Sequence, residues 1–546
     1  MPRHLVLLAI VVLSTAASGC KVYDPLYCDA DRRCDDPERP FCDLEGAFPA
    51  SEGVGRTCIP QPPGPPTGDF IIAPVDDEVE VHVDGELALE VQVMRADGFA
   101  GEVTVRADNL PAGTSAEPIT ISGDGDRGAL LIEGGSAEPG AAAEIVIVGS
   151  SGEVERASAV QLLVLGRPGA LDLSFGVLGV AAEPLPVTDD ARFLAQLADG
   201  TLMVGGNPAV NSGFTAAALR FLRDGRIDPT FGTDGAIRLN LAGIDPQSPL
   251  RFALQPPEKV VLASGASPTD FALSRIDRDG HLDREFAGGG TVIHPTLEGV
   301  SVTALVVGPH QEIVVGLTEG AARDRIALVR FSADGVHDTG FAGGLFRLDR
   351  GSLHSLRDLE VYPDGSIMGV AAARDADGVE TSFVFRVSAQ GALDPDFGVG
   401  GIVAFDPSVA LVAIVIGPDG RILVGGRLES NPALWRLTPD DGRLDESFGD
   451  GGELRVDLPG DRFGGVAELL LSGEGSVLAL GSPGITMIRL DPATGTLDAS
   501  FGEGGVSVID LNPAVVAKSA VDVGRGRLVI VADEDSYPFV LARVFD

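Results

Sequence analysis

Residues 171–176 read LDLSFG. The phrase returns as IDPTFG at 227–232, LDREFA at 282–287, HDTGFA at 337–342, LDPDFG at 393–398, LDESFG at 444–449 and LDASFG at 497–502. Successive copies lie 51 to 56 residues apart. A fixed period of this length marks a repeat architecture and outweighs any local motif. One period, residues 248–293, holds four short apolar runs: SPLRFALQP, KVVLASG, DFALSRI and HLDREFAGGGTVI. Tight turns such as Arg278-Asp279-Gly280 separate them.

Four short antiparallel strands per period predict one propeller blade, because radial stacking of such sheets hides most of their edges. A parallel β-helix has shorter turns and fits less well. A second series sets the blade count. The third strand of each period ends in an arginine: Arg220, Arg275, Arg330, Arg386, Arg436, Arg489 and Arg543. Each precedes the next repeated aspartate by eight or nine residues, as in Arg275–Asp283, Arg330–Asp338 and Arg386–Asp394. Arg543 has no aspartate after it in register and Asp172 has no arginine before it. The two leftovers complete each other if the ring closes, so seven blades are expected. The segment around 170–182 then becomes the outer strand of the last blade, beside 539–545. The pairs are expected to be structural bridges between blades, since a charge in a partly buried place is tolerated only with its partner. The repeated phenylalanines, Phe175 to Phe501, are expected between blades.

The LDxxFG phrase, with a later DG-apolar-apolar-V-x-G phrase, strongly resembles the delta-60 repeat family of bacterial surface proteins. The resemblance covers residues 171–546 and implies a β-propeller. It departs at His337, where Leu is usual, and at Ala287 and Ala342, where Gly is usual.

Ahead of the repeats, residues 70–166 alternate apolar and polar in VEVHV at 79–83, LALEVQV at 87–93 and EVTVRA at 102–107, the period of half-buried strands. The stretch GFAGEVTVRADNLPAGTSAEP resembles an immunoglobulin-like sandwich module of exported bacterial proteins, here without cysteine. Asp124-Gly125-Asp126 reads as a solvated turn, since a calcium loop needs six or more oxygen ligands. Residues 59–69 are a proline-rich linker.

The first 19 residues have Arg3 followed by the apolar run Leu5–Leu13, too short to span a bilayer and matching a signal peptide. Ala17-Ser18-Gly19-Cys20 resembles a bacterial lipobox, which implies lipid on Cys20. The resemblance departs at Ala17, where Leu is usual. Cys28, Cys34, Cys42 and Cys58 fall within the remainder of a segment at 20–58, and no cysteine follows. Four clustered cysteines in an exported segment suggest two disulfides with three possible pairings. Their gaps lack the close pairs of a zinc site.

The chain has 546 residues, 80 acidic against 40 basic, and a net charge of −40. That excess argues against nucleic acid and anionic membrane surfaces as partners, both of which are gripped by clustered Lys and Arg. Glycine (72) and proline (37) are abundant and aromatics make up 5%, which favours an all-β chain over a helical bundle. No HxH or HExxH pair, GxSxG elbow or Walker loop occurs, and His281 and His337 fall at repeat turns. Trp435, beside Arg436, reads as packing. No catalytic residue, metal or cofactor is assigned. Paired carboxylates gathered at a propeller axis stay open, because no pair is selected by sequence.

The expectation is therefore an all-β protein: a seven-bladed β-propeller at 167–546 behind an immunoglobulin-like sandwich at 70–166. It is expected to be lipid-anchored to the bacterial envelope, at the outer membrane. Its role is expected to be that of a binding or scaffold module, not an enzyme, for a protein or a neutral or cationic ligand. The variable loops at 205–215, 317–325, 373–382 and 533–538, with the loops that lead into the first strands, form the recognition face. The alternatives are a hydrolase or lyase on an extracellular substrate, or a structural adhesion component.

Overall fold

The computed structural model describes residues 41–43, 57–59 and 69–546, apart from position 97 and short stretches at 183–187, 209–212, 242, 246–247, 268, 296–298, 321–324, 351, 459–463, 473–474, 482–483, 510, 512–514 and 535–536. The signal peptide, Cys20, Cys28, Cys34 and nearly all of the proline-rich linker lie outside the described residues, as do parts of most of the variable loops. Loop 373–382 is described throughout.

The described chain is all-β and divides into two compact units. The first holds the described residues up to 81, then 86–133 and 142–163. Phe41–Asp43 pairs antiparallel with Thr57–Ile59, with Cys42 directly opposite Cys58. Two further antiparallel sheets follow. One runs Glu78–His82, Val154–Leu165, Ala142–Ser151, Val103–Asp108, Ile119–Ile121; the other runs Phe70–Pro74, Glu86–Arg95, Arg127–Glu133, Ser115–Ala116. Alternation decides which face is buried: Leu89, Val91 and Val93 of one sheet and Val103, Val105, Ile145 and Ile147 of the other point inward. The two faces approach closely at Gly149, where an added Cβ would lie 2.9 Å from Ile72 and 3.1 Å from Phe70.

The second unit, which includes 164–546, contains seven four-stranded antiparallel sheets. Six are simple meanders. The second, for example, runs Arg251–Gln255, Lys259–Ser267, Asp270–Ile276, Thr291–Pro295. The seventh draws on both ends of the unit: Val516–Asp522, Arg527–Glu534 and Tyr537–Phe545 are completed by Val180–Ala182. Val180 pairs with Ala542, Ala181 with Leu541 and Ala182 with Val540. Backbone bonds from Gly169 to Phe545 O (2.8 Å), Phe545 to Ala170 O (3.0 Å) and Asp172 to Arg543 O (2.8 Å) extend this seam.

The first strands of the sheets are Thr188–Gln196, Arg251–Gln255, Val300–Val307, Ser352–Val361, Val409–Ile416, Val466–Leu471 and Val516–Asp522. Each contacts the first strand of the following sheet, and Val516–Asp522 contacts Thr188–Gln196. Second and third strands are buried almost without interruption, as in Ile313–Glu319 and Ala216–Phe221, because both of their faces meet neighbouring sheets.

Ala542 pairs on both sides, with Ile530 and with Val180. Proline has no N–H for a central ladder, so Ala542→Pro is expected to lower the melting midpoint by roughly 5 °C or more. Ala182→Pro, on the edge strand, is expected to cost clearly less. Circular dichroism melting curves check the contrast.

Candidate functional site

The repeated arginine and aspartate meet in every sheet. Arg220 Nε donates to Asp228 Oδ2 at 2.7 Å, Arg275 Nε to Asp283 at 2.8 Å, Arg330 Nε to Asp338 at 2.8 Å, and Arg489 Nε to Asp498 at 2.9 Å. Arg386 Nη2 lies 2.7 Å from Asp394 Oδ2, and Arg436 Nε is 3.1 Å from Asp445 Oδ2. Arg543 Nε donates to Asp172 Oδ2 at 2.9 Å across 371 residues of chain. Each guanidinium also lies over the repeated phenylalanine, 4.6 to 4.9 Å from its ring centroid.

The ion pair itself lies within one sheet, where a bridge between blades was expected. The link to the next sheet is made by the remaining guanidinium nitrogen. Arg220 Nη1 donates to Arg278 O (2.9 Å), Arg275 Nη1 to Ala333 O (2.6 Å), Arg436 Nη1 to Ala493 O (2.7 Å) and Arg543 Nη1 to Arg223 O (2.7 Å). The phenylalanine packs on the same turn. A Cβ on Gly335 would lie 2.6 Å from Phe286, and the φ of Gly335 is +77°, so this turn takes glycine for two reasons. Burial raises the pKa of Asp445, but the Ser447 hydroxyl and then Arg421, with Arg436, outweigh it and bring the carboxyl down to about 2. These groups are committed to holding the sheets.

A second set of acids sits on the first strands. Asp358 and Glu360 share Ser352–Val361, and Glu468 lies on Val466–Leu471. Both strands carry a bulge, between Leu356 and Asp358 and between Val466 and Glu468, which re-aims the side chains that follow. Asp358 Oδ1 accepts from Leu359 N (2.9 Å) and Oδ2 from Ile414 N (3.0 Å) of the next first strand. Glu468 Oε1 accepts from Ser519 Oγ at 3.3 Å, and its Oε2 is buried with no hydrogen-bond partner among the described residues. Desolvation pushes Asp358 up to about 6. Desolvation and the Asp358 charge push Glu360 and Glu468 up to about 8. At neutral pH the set holds protonated glutamates beside an ionised aspartate, the arrangement that proton transfer requires. Sequence inspection missed these residues, because LRDLEV and VAELLL read as ordinary amphipathic strands.

The histidines, dispersed in sequence, are partly gathered. The rings of His294 and His337 lie 4.4 Å apart, and His337 Nε2 is 2.8 Å from Gly344 O. Among the described residues one group of three potential metal ligands is close together: Asp277, Asp279 and His281. There Asp277 Oδ1 already accepts from the backbone of Asp279 and His281, so the group builds its own turn. Trp435 is buried, donates to Glu453 (2.9 Å) and packs on Phe405.

The chain matches a family described as "Domain of unknown function (DUF5122) beta-propeller" at residues 197–231 and 417–448. Each match runs from the turn before a second strand to the repeated phenylalanine. The class is thus an all-β protein built on β-propeller-like repeats. No curated protein matches the chain. Similar solved structures include domains 4 and 5 of the S-layer protein SbsC, at 23% identity over 17% of this chain and 50% of that one, with a TM-score of 0.14. The chain therefore spans about half the length of that structure. A hypothetical protein from Leishmania major is 11% identical over 43% of this chain and 80% of that one, with a TM-score of 0.22. Overlaps this low carry no argument about function.

Two outcomes are expected. Arg275→Met leaves the carboxylate of Asp283 with Lys259 alone and is expected to cost on the order of 3 kcal/mol in urea unfolding; Arg275→Met with Asp283→Asn recovers part of it. The pH dependence follows from the raised glutamates. Between about pH 4.5 and 8 the folded chain keeps protons that the unfolded chain has lost, so this contribution to stability is full below 4.5 and disappears as pH rises through 8. Glu360→Gln and Glu468→Gln are each expected to flatten the fall in melting midpoint between pH 5 and 8.

Proposed function

We propose that residues 167–546 form a closed seven-bladed β-propeller and residues 70–166 an immunoglobulin-like sandwich. In this reading a lipid on Cys20 holds the chain at the bacterial envelope, at the outer membrane, where the propeller serves as a binding or scaffold module. The observation that carries the reading is the seventh sheet, in which Val180–Ala182 pairs with the C-terminal strand. A ring closed in this way leaves only short, protected edge strands and presents its loops at fixed positions.

Recognition is assigned to the sheet ends opposite the repeated Arg–Asp turns. One end is committed seven times to the same contacts, while the other differs from sheet to sheet. Its loop at 373–382 is built on a turn in which Asp375 Oδ1 accepts from Asp377 N and Val379 N (both 2.9 Å), flanked by the Arg374–Glu380 pair at 3.2 Å. The net charge of −40 favours a neutral or cationic partner, a protein among them. In the cysteine-rich segment the backbone register sets Cys42 opposite Cys58. Directly opposed residues of antiparallel strands lie about 4.5–5.5 Å apart, within disulfide range. This register supports a Cys42–Cys58 pairing.

A second reading, a hydrolase or lyase, is favoured by the raised carboxyls of Asp358, Glu360 and Glu468. The two readings separate in one experiment. Immobilised wild-type protein is expected to retain a partner from envelope extracts that a variant with a shortened 373–382 loop does not, while Glu468→Gln retains it unchanged. Loss of capture in Glu468→Gln alone, with a folded variant, would favour the enzyme. Cys20→Ala is expected to move the protein from the membrane to the soluble fraction.

A further inference from the structure

Where the seventh sheet meets the first, a cavity of about 300 Å³ is lined by Arg223, Arg525, Arg527 and Arg543, with Leu202 and Val529 among its apolar wall residues and no acid in its lining. In a chain with twice as many acids as bases, this concentration of guanidinium is local and specific. Two corresponding clefts elsewhere differ. The one at Arg386 is lined by Asp364, Asp394 and Asp440, and the one at Arg330 by Glu312, Asp338 and Asp364.

The difference is written in one turn. Between the first and second strands, four other sheets place an acid directly before the turn glycine, at Asp199, Asp364, Asp419 and Glu474. The seventh sheet reads Gly524-Arg525-Gly526-Arg527. Arg525 adopts a left-handed backbone (φ +55°), and its carbonyl accepts from Arg527 Nη1 at 3.1 Å.

Arg527 and Arg543 each donate to Asp172 Oδ2 at 2.9 Å. The other oxygen of Asp172 is taken by Ser174 N (3.0 Å) and Oγ (2.6 Å). Burial draws Arg543 below the usual guanidinium range; Asp172 opposes this and the Arg527 charge reinforces it. Across the cavity, Arg223 Nε and Nη2 both donate to the backbone carbonyl of Asp199 (3.0 and 2.7 Å), a neutral acceptor. Arg223 lies over Gly200, where a Cβ would fall 2.0 Å from Nε. The Asp224 carboxylate, next in sequence, is held by Arg226 at 2.7 Å.

We propose that this cavity is a binding site for a small organic oxyanion, a sugar-sized ligand that carries a phosphate or a carboxylate. Guanidinium forks match both groups with paired, charge-assisted hydrogen bonds. The apolar wall of Leu202, Val523 and Val529 receives the uncharged body of the ligand. The site lies on the face of the repeated Arg–Asp turns, opposite the variable loops, and stands independently of the reading given for those loops.

Isothermal titration of the full-length protein at low salt, with glucose 6-phosphate, glucuronate and glucose as probes, tests it. One or both anions are expected to bind with a stoichiometry of one, while glucose gives no heat. Binding of the phosphate alone, or of both, identifies which oxyanion is taken. Arg223→Gln and Arg525→Gln are each expected to weaken binding about tenfold, and the double variant to abolish it, with little change in the ligand-free melting midpoint because both side chains are on the surface. Arg421→Gln, at the double-cation turn of the fifth sheet, is expected to leave the affinity intact. No heat with either anion, equal binding of glucose, or full affinity in the Arg223/Arg525 double variant would overturn the proposal. An equal loss in Arg421→Gln would do so too.

Discussion

The second unit depends on one contact made seven times: a guanidinium gripped by a carboxylate of its own sheet, stacked over a phenylalanine and turned outward to its neighbour. The aspartate fixes the arginine, and the arginine shields the ring. In five sheets a further nitrogen reaches a backbone carbonyl of the turn beyond. In the sixth it reaches the Asp546 carboxylate (3.2 Å). A buried guanidinium would be costly alone, and the carboxylate of its own sheet offsets that cost. Non-directional apolar burial glues sheets together; these bonds add geometry and set which surface meets which.

Much of this was legible in the sequence. The period, the strand count and the arginine and aspartate series are local patterns that survive divergence, because each copy must satisfy the same contacts. The pairing of Asp172 with Arg543 was legible only because the two series were out of step by one. The direction of the bridge was not legible. Spacing puts the arginine opposite the aspartate of its own hairpin, but which carbonyl the remaining nitrogen finds depends on the angle between sheets.

The carboxyls at Asp358, Glu360 and Glu468 were illegible for a different reason. They belong to strands that otherwise look alike, and Asp358 and Glu468 influence each other only because first strands from distant repeats converge. The bulges that turn them are invisible in composition. Likewise, His294 and His337 share a surface only after two sheets have stacked. The arginine cavity stood closer to legibility, since Gly-Arg-Gly-Arg breaks the acidic habit of its turn series. What the sequence lacked was the neighbour, Arg223, more than 300 residues away in the chain.

The seventh sheet also has a temporal meaning. Val180–Ala182 finds its partners only in Val540–Ala542, so the earliest strand of the unit waits for the last one to emerge. Every other sheet is a meander able to form as its own residues appear. The chain can thus accumulate six nearly finished sheets with exposed flanks before the contact at greatest sequence separation is made, and loop closure over such a span is slow. A nascent chain of this design is most vulnerable to misassociation in the interval before Tyr537–Phe545 arrives.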